Sequence, residues 1–150
     1  MSLVEKEIFI AAAPEQVWSV VMDPHRFAEW VTIHKRLDST SDGDPREGYR
    51  MVQHLHLRGA TFKVSWELVQ CDMPRHALWE GHGPAHARAS TDYRLHSAEG
   101  GTNFVYRNEF HTPLGPLGSL ASRALMGDAP AREAEHSLTR LKQLVETEAA

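Results

Sequence analysis

"EGYRMVQHLHLRGATFKVSWELVQ", residues 47 to 70, alternates apolar and polar side chains on both sides of a glycine. On the first leg Tyr49, Met51, Gln53, Leu55 and Leu57 share one parity, and Arg50, His54, His56 and Arg58 take the other. On the return leg Phe62, Val64, Trp66 and Leu68 alternate with Lys63, Ser65 and Glu67. A period of two with one apolar and one wet face is the mark of a half-buried strand. Gly59-Ala60 supplies a tight turn between the legs. The stretch reads as an antiparallel hairpin with one face on a core.

The same pattern extends outward. "AHARASTDYRLHS" places Ala87, Ala89, Thr91, Tyr93 and Leu95 inward and His86, Arg88, Asp92, Arg94 and His96 outward. After a turn at Glu99-Gly100-Gly101, "TNFVYRNEFHT" puts Phe104, Tyr106 and Phe110 on one face with Asn108 among them. "HALWEG" is a shorter strand whose facing the pattern leaves open, because Leu78 and Trp79 are adjacent. Residues 32 to 112 thus form an antiparallel meander. Upstream, "LVEKEIFIAA" is a further strand, and "EQVWSVVMD" is a helix opened by Pro14 with Val17, Val20 and Val21 on one stripe. Asp23-Pro24 ends it, since the residue before proline avoids the α region. "HRFAEW" adds a short turn that brings Phe27 and Trp30 to one side. Downstream of "PLGPLG", Leu117, Leu120, Ala124, Ala131, Leu138, Leu141 and Val145 mark an amphipathic helix about thirty residues long, interrupted near Gly127 to Pro130. A sheet with one apolar face needs a cover. One long helix covers part of it, and the two clipped helices plug one end with Trp18 and Trp30.

Composition sets bounds on what this chain does. Residues 1–150 are expected to form one domain, with 41% hydrophobic and 24% charged residues. A net charge of −4 argues against a surface built for nucleic-acid phosphates. Ten histidines outnumber that charge, so mild acid reverses its sign. The single Cys71 forms no internal disulfide, and the N-terminus lacks a basic segment followed by an apolar run. No stretch approaches the roughly 18 apolar residues of a membrane span. A cytoplasmic location without membrane insertion is expected; the oligomeric state is not written in the chain.

Strand, "APEQVW", "DPHRFAEW", a run of strands including "GGTNFVYRNEF", and the closing "LTRLKQLVE" resemble, over residues 3 to 147, the helix-grip superfamily of START and birch-pollen-allergen-like domains. The nearest branch is the bacterial polyketide cyclase/dehydrase and lipid-transport family. That resemblance implies an α+β fold in which a curved antiparallel sheet of six or seven strands wraps a long C-terminal helix, with a cavity between them. It implies binding of a hydrophobic small molecule, lipid-like or polyketide-like. Its alternatives are a cyclase or dehydrase acting in the same cavity and a chaperone-activator-like interaction module.

The inward positions supply the expected ligand-lining set. From the helices and hairpin these are Phe27, Trp30, Met51, Gln53, Leu55, Phe62, Val64 and Trp66. From later strands come Thr91, Tyr93, Phe104, Tyr106 and Asn108, and from the last helix Leu120 and Ala124. Polar groups set in an apolar concavity orient ligands in many small-molecule sites, and small Ala87 and Ala89 leave room. His54 and His56 share a strand face about 6.8 Å apart, but they face solvent and no third ligand follows, so no metal or cofactor is expected. No nucleophile with a base is visible: Cys71 reads as an ordinary buried thiol, Arg107 and Glu109 point outward, and Asp128 faces the core only if the last helix runs on unbroken.

Overall fold

The structure is a computed structural model that describes residues 2–111 and 127–150. Strand β1 (Ser2–Ile10) leads to α1 (Pro14–Val21) and the one-turn α2 (Phe27–Trp30). The meander follows as β2 (His34–Thr40), β3 (Arg50–Leu57), β4 (Ala60–Asp72), β5 (His76–His82), β6 (Arg88–Ala98) and β7 (Gly101–His111). Helix α3 (Ala129–Ala149) closes the chain. The seven strands form one antiparallel sheet in the order β1-β7-β6-β5-β4-β3-β2. This is the expected α+β helix-grip architecture.

Turn chemistry sets the hairpins. The β3–β4 turn is Arg58-Gly59, not Gly59-Ala60, since Leu57 pairs directly with Ala60. Both turn residues have positive φ, 50° and 80°, which matches the twist of the flanking strands. Arg58 takes a conformation that side chains rarely adopt, and Gly59 carries the other half without strain. The inner faces then fall where alternation placed them. Met51, Gln53, Leu55 and Leu57 on β3 and Val64, Trp66 and Leu68 on β4 are buried. The open facing of β5 is settled by a bulge in β4. The register shifts between Leu68 and Gln70, so Trp79 pairs with Leu68 and turns inward while Leu78 pairs with Gln70 and faces out.

Helix α1 begins with Pro14 in its first turn and buries Val17, Trp18, Val20 and Val21. The Asp23 side chain accepts a hydrogen bond from the His25 amide at 3.0 Å, which opens a 3-10 turn leading into α2. Phe27 and Trp30 then meet edge to face, ring centres 6.3 Å apart. Helix α3 starts beyond Gly127 (φ 72°) with Pro130 in its first turn. It buries Ala134, Leu138, Leu141 and Val145 at helical spacing, and it lies against β1 and α2. Lys6 on β1 pairs with Glu135 at 2.8 Å, and Glu146 accepts the Ala11 amide at 2.7 Å. Residues 117–126 of the expected long helix, including Leu120 and Ala124, lie outside the described residues.

Candidate functional site

The concave side of the sheet carries two short chains of hydrogen bonds. On β6 and β7, Thr91 lies directly opposite Asn108, and Tyr93 opposite Tyr106. The Thr91 hydroxyl donates to Asn108 Oδ1 at 2.6 Å, and Asn108 Nδ2 donates to the Tyr106 oxygen. The two tyrosine rings stack with centres 5.9 Å apart and planes 23° from parallel. Burial pushes the Tyr106 hydroxyl up to about 12 and the Tyr93 hydroxyl well above its ordinary value, so both remain protonated donors at neutral pH.

Across the concavity, Trp66 Nε1 donates to Gln53 Oε1 at 2.9 Å. That leaves the Gln53 Nε2 group to donate to His34 Nδ1 at 2.8 Å. A ring nitrogen that accepts is unprotonated, so this arrangement selects neutral His34 with its proton on Nε2. Burial lowers the His34 pKa below its ordinary 6.5. The unfolded chain therefore takes up a proton at His34 before the folded one does, and stability drops as pH falls through about 6.5. Denaturation midpoints at pH 7.5 and 5.5 should show this loss in the native chain and a smaller loss in His34→Gln. Equal losses would assign the effect elsewhere.

Three voids lie along the inner face of the sheet, and the third of them reaches α3. The first, about 30 Å³, is walled by Thr91, Asn108 and the two tyrosines on one side and by Gln53 and Trp66 on the other, together with Phe27, Met51, Leu55 and Trp79. The second, about 50 Å³, is almost wholly apolar and runs past Leu55, Phe62, Val64, Ala87 and Ala89 to the Gly83–Arg88 connection. The third, about 20 Å³, lies under α3 between Asn108 and Ser137. Ile33 and Phe110 line all three, so they are the partition between them. Neither is fully buried. Ile33 is positioned by its neighbours: its carbonyl accepts the His56 amide at 2.7 Å, and the adjacent Thr32 amide donates to Ser137 Oγ at 3.0 Å.

The structure brings most of the expected residues together. Phe27, Met51, Gln53, Leu55, Trp66, Thr91, Tyr93, Tyr106 and Asn108 wall the first void, and Phe62 and Val64 the second. Trp30 and Phe104 are fully buried behind the tyrosines rather than facing a void, because each packs on the rings that do. Sequence reasoning leaves out Val31, Ile33, His34 and Trp79. The first three lie where the chain leaves α2 and where β2 bulges twice, so no alternation marks them. On the outer face His54 pairs with Asp38 at 2.7 Å and His56 with Thr61 at 3.1 Å. Cys71 is half-buried rather than buried, at the end of β4. Asp128 precedes α3 and is exposed beside Arg132, since the helix begins after it. No helix of the described residues is long and apolar enough to cross a membrane.

A curved sheet closed by a C-terminal helix, with hydrogen-bonding side chains set into an apolar interior wall, defines a helix-grip protein. The chain belongs to the polyketide cyclase / dehydrase and lipid transport family, whose model matches residues 1–146. An uncharacterised protein of Mycobacterium tuberculosis is 27% identical over 146 residues, covering 96% of this chain and 99% of the relative. A second protein of that organism, named as a toxin, is 24% identical over 130 residues, covering 85% and 90%. Among solved structures, the Zhui aromatase/cyclase of Streptomyces sp. R1128 superposes with a TM-score of 0.77 at 18% identity, over 99% of this chain and 95% of that one. DR_A0006 of Deinococcus radiodurans gives 0.72 at 18% identity over 99% of each. At these identities the likeness to solved structures is one of fold.

Proposed function

We propose that this protein binds a hydrophobic small molecule between the sheet and α3, with its polar end at Tyr93 and Asn108 and its apolar body along the second void. The observation that carries this reading is the sharing of walls: three voids, one polar-lined and one apolar, are divided by the same two side chains. A void of 20–50 Å³ holds a few waters at most. Ligand sites usually span about 300–1,000 Å³. Binding therefore requires Ile33 and Phe110 to swing aside and join the voids, and their partial exposure leaves them free to do so. Membership of a family described by lipid transport and polyketide chemistry supports the same reading.

Titration with the uncharged dye N-phenyl-1-naphthylamine should give saturable, single-site fluorescence enhancement with the folded protein. Ala89→Leu fills the apolar void and is expected to weaken that binding at least tenfold, while His54→Ala on the outer face leaves it unchanged. Non-saturable binding, or equal effects of the two variants, would refute the cavity.

A further inference from the structure

Three side chains beside the first void can be arranged in only one polarity. The Trp66 indole nitrogen only donates, so Gln53 turns its oxygen to it and its amide nitrogen to His34 Nδ1. The two ends of this chain are held unequally. Trp66 lies against the bare backbone of Gly81 on β5, where an added Cβ would come within 2.7 Å of the indole and of Val64. His34 is the first residue of β2, half-buried, and the pairing of β2 with β3 shifts register just after it. The loose end is the histidine.

Its position makes it a plug. The His34 ring packs edge to face on Phe27, centres 5.8 Å apart, and takes the Gln53 hydrogen bond. Phe27 and Gln53 both wall the first void, whereas His34 stands outside that wall with part of its surface in water. Ile33, which divides the voids, is the residue before it.

A proton on Nδ1 sets a donor against the Gln53 donor. Turning the Gln53 amide over only moves the clash to Trp66, which has no acceptor to offer. No neighbouring charge among the described residues holds a cationic ring in place. On β2, Lys35 and Arg36 are exposed, and Arg36 pairs with Asp38. On β3, His54 also pairs with Asp38 and His56 bonds Thr61, both on the outer face. On α2, Glu29 is taken by Arg26, and from α3 it is the backbone carbonyl of Glu133 that reaches the connection, at Thr32.

We propose that His34 is a proton-operated plug: in mild acid its ring leaves Gln53 for solvent and opens the first void from the β2 side. The device rests on the cavity proposed above and adds a control on entry to it. Burial holds His34 below its ordinary 6.5, so the plug is seated at neutral pH. In the opened form the ring regains its ordinary value and binds a proton more readily, so falling pH draws the protein towards that form.

Stopped-flow binding of N-phenyl-1-naphthylamine tests this. A plug governs entry and exit alike, so both rate constants should rise from pH 7.5 to pH 5.5. The charged fraction of a histidine of ordinary pKa rises about tenfold over that interval, which sets the upper limit of the acceleration. In His34→Gln the side chain still accepts from Gln53 with its own oxygen but cannot titrate, so both rates should be slow and the same at either pH. In His34→Ala the plug is gone, and they should be fast at both. Without any ligand, the Trp66 Nε1–H resonance in nitrogen-15 spectra should move with the titration of His34 in the native protein and stay put in His34→Gln. Native rates that ignore pH, an acceleration that survives His34→Gln, or a Trp66 resonance indifferent to His34 would each overturn the plug and leave the cavity standing. A dye that binds neither at pH 7.5 nor at pH 5.5 would remove the cavity, and the plug with it.

Discussion

Trp30→Ala is expected to lower the free energy of unfolding by about 3–5 kcal/mol, the usual range for removing a large buried aromatic. Trp30 is fully buried, and its ring stands 6.2 Å from Tyr93 and 6.4 Å from Tyr106. It is the peg that fixes α2, a four-residue helix too short to hold itself, onto the inner face of β6 and β7. The sheet beneath is paired along the full lengths of β6 and β7, so the hole cannot close by strand movement. Among the described residues the indole N–H has no partner, so the expected loss is one of packing. Urea unfolding followed by tyrosine and tryptophan fluorescence reads the difference directly. A loss under about 1 kcal/mol would mean that the site collapses and that α2 is held elsewhere.

The second large effect is expected at Asn108. Leucine matches asparagine in shape, yet Asn108→Leu strips a partner from the Thr91 hydroxyl and another from the Tyr106 oxygen, both buried. Stranding buried polar atoms costs on the order of 1–3 kcal/mol. The pairing predicts a non-additive rescue: Thr91→Val added to Asn108→Leu should restore part of the lost stability, since the hydroxyl stranded at position 91 is then gone. Unchanged stability in the single variant would instead make Asn108 a group that waits for ligand.

The parts of this molecule that sequence announces are those governed by alternation. From Arg50 to Leu57, and again from Thr102 to Phe110, every second side chain is apolar or buried-polar, and each lies on the inner face. Strand β5 escapes this logic because its facing is decided by its neighbour: the Val69 bulge shifts the β4 register, and only then does Trp79 turn inward. His34 and Ile33 escape for a related reason. Strand β2 carries "HKRLDST", with no period-two signal, and two register shifts carry its ends in and out of the core. The pairing of His34 with Gln53 depends on that geometry. The partition of the interior is likewise unreadable in one dimension, because it arises where Ile33 from a connection meets Phe110 from a strand far along the chain.

The register that joins Ser2 to Phe110 and Ile10 to Thr102 has a consequence for how the chain comes into being. Strands β2 to β7 pair each with the next, so they can zip up as they leave the ribosome, closing only short loops. Strand β1 is synthesised first, but its place is beside β7, the last strand made. It must wait through the synthesis of the whole meander, and the entropy of closing so long a loop is met only then. Its sequence suits the wait: "EKE" at residues 5 to 7 keeps a solitary apolar strand from pairing with other chains. Once β1 docks, it becomes the seat of α3 through Lys6 and Glu135, so the first and last segments of the chain complete the fold together. A proteolytic nick that frees the N-terminal strand would therefore unseat the C-terminal helix as well.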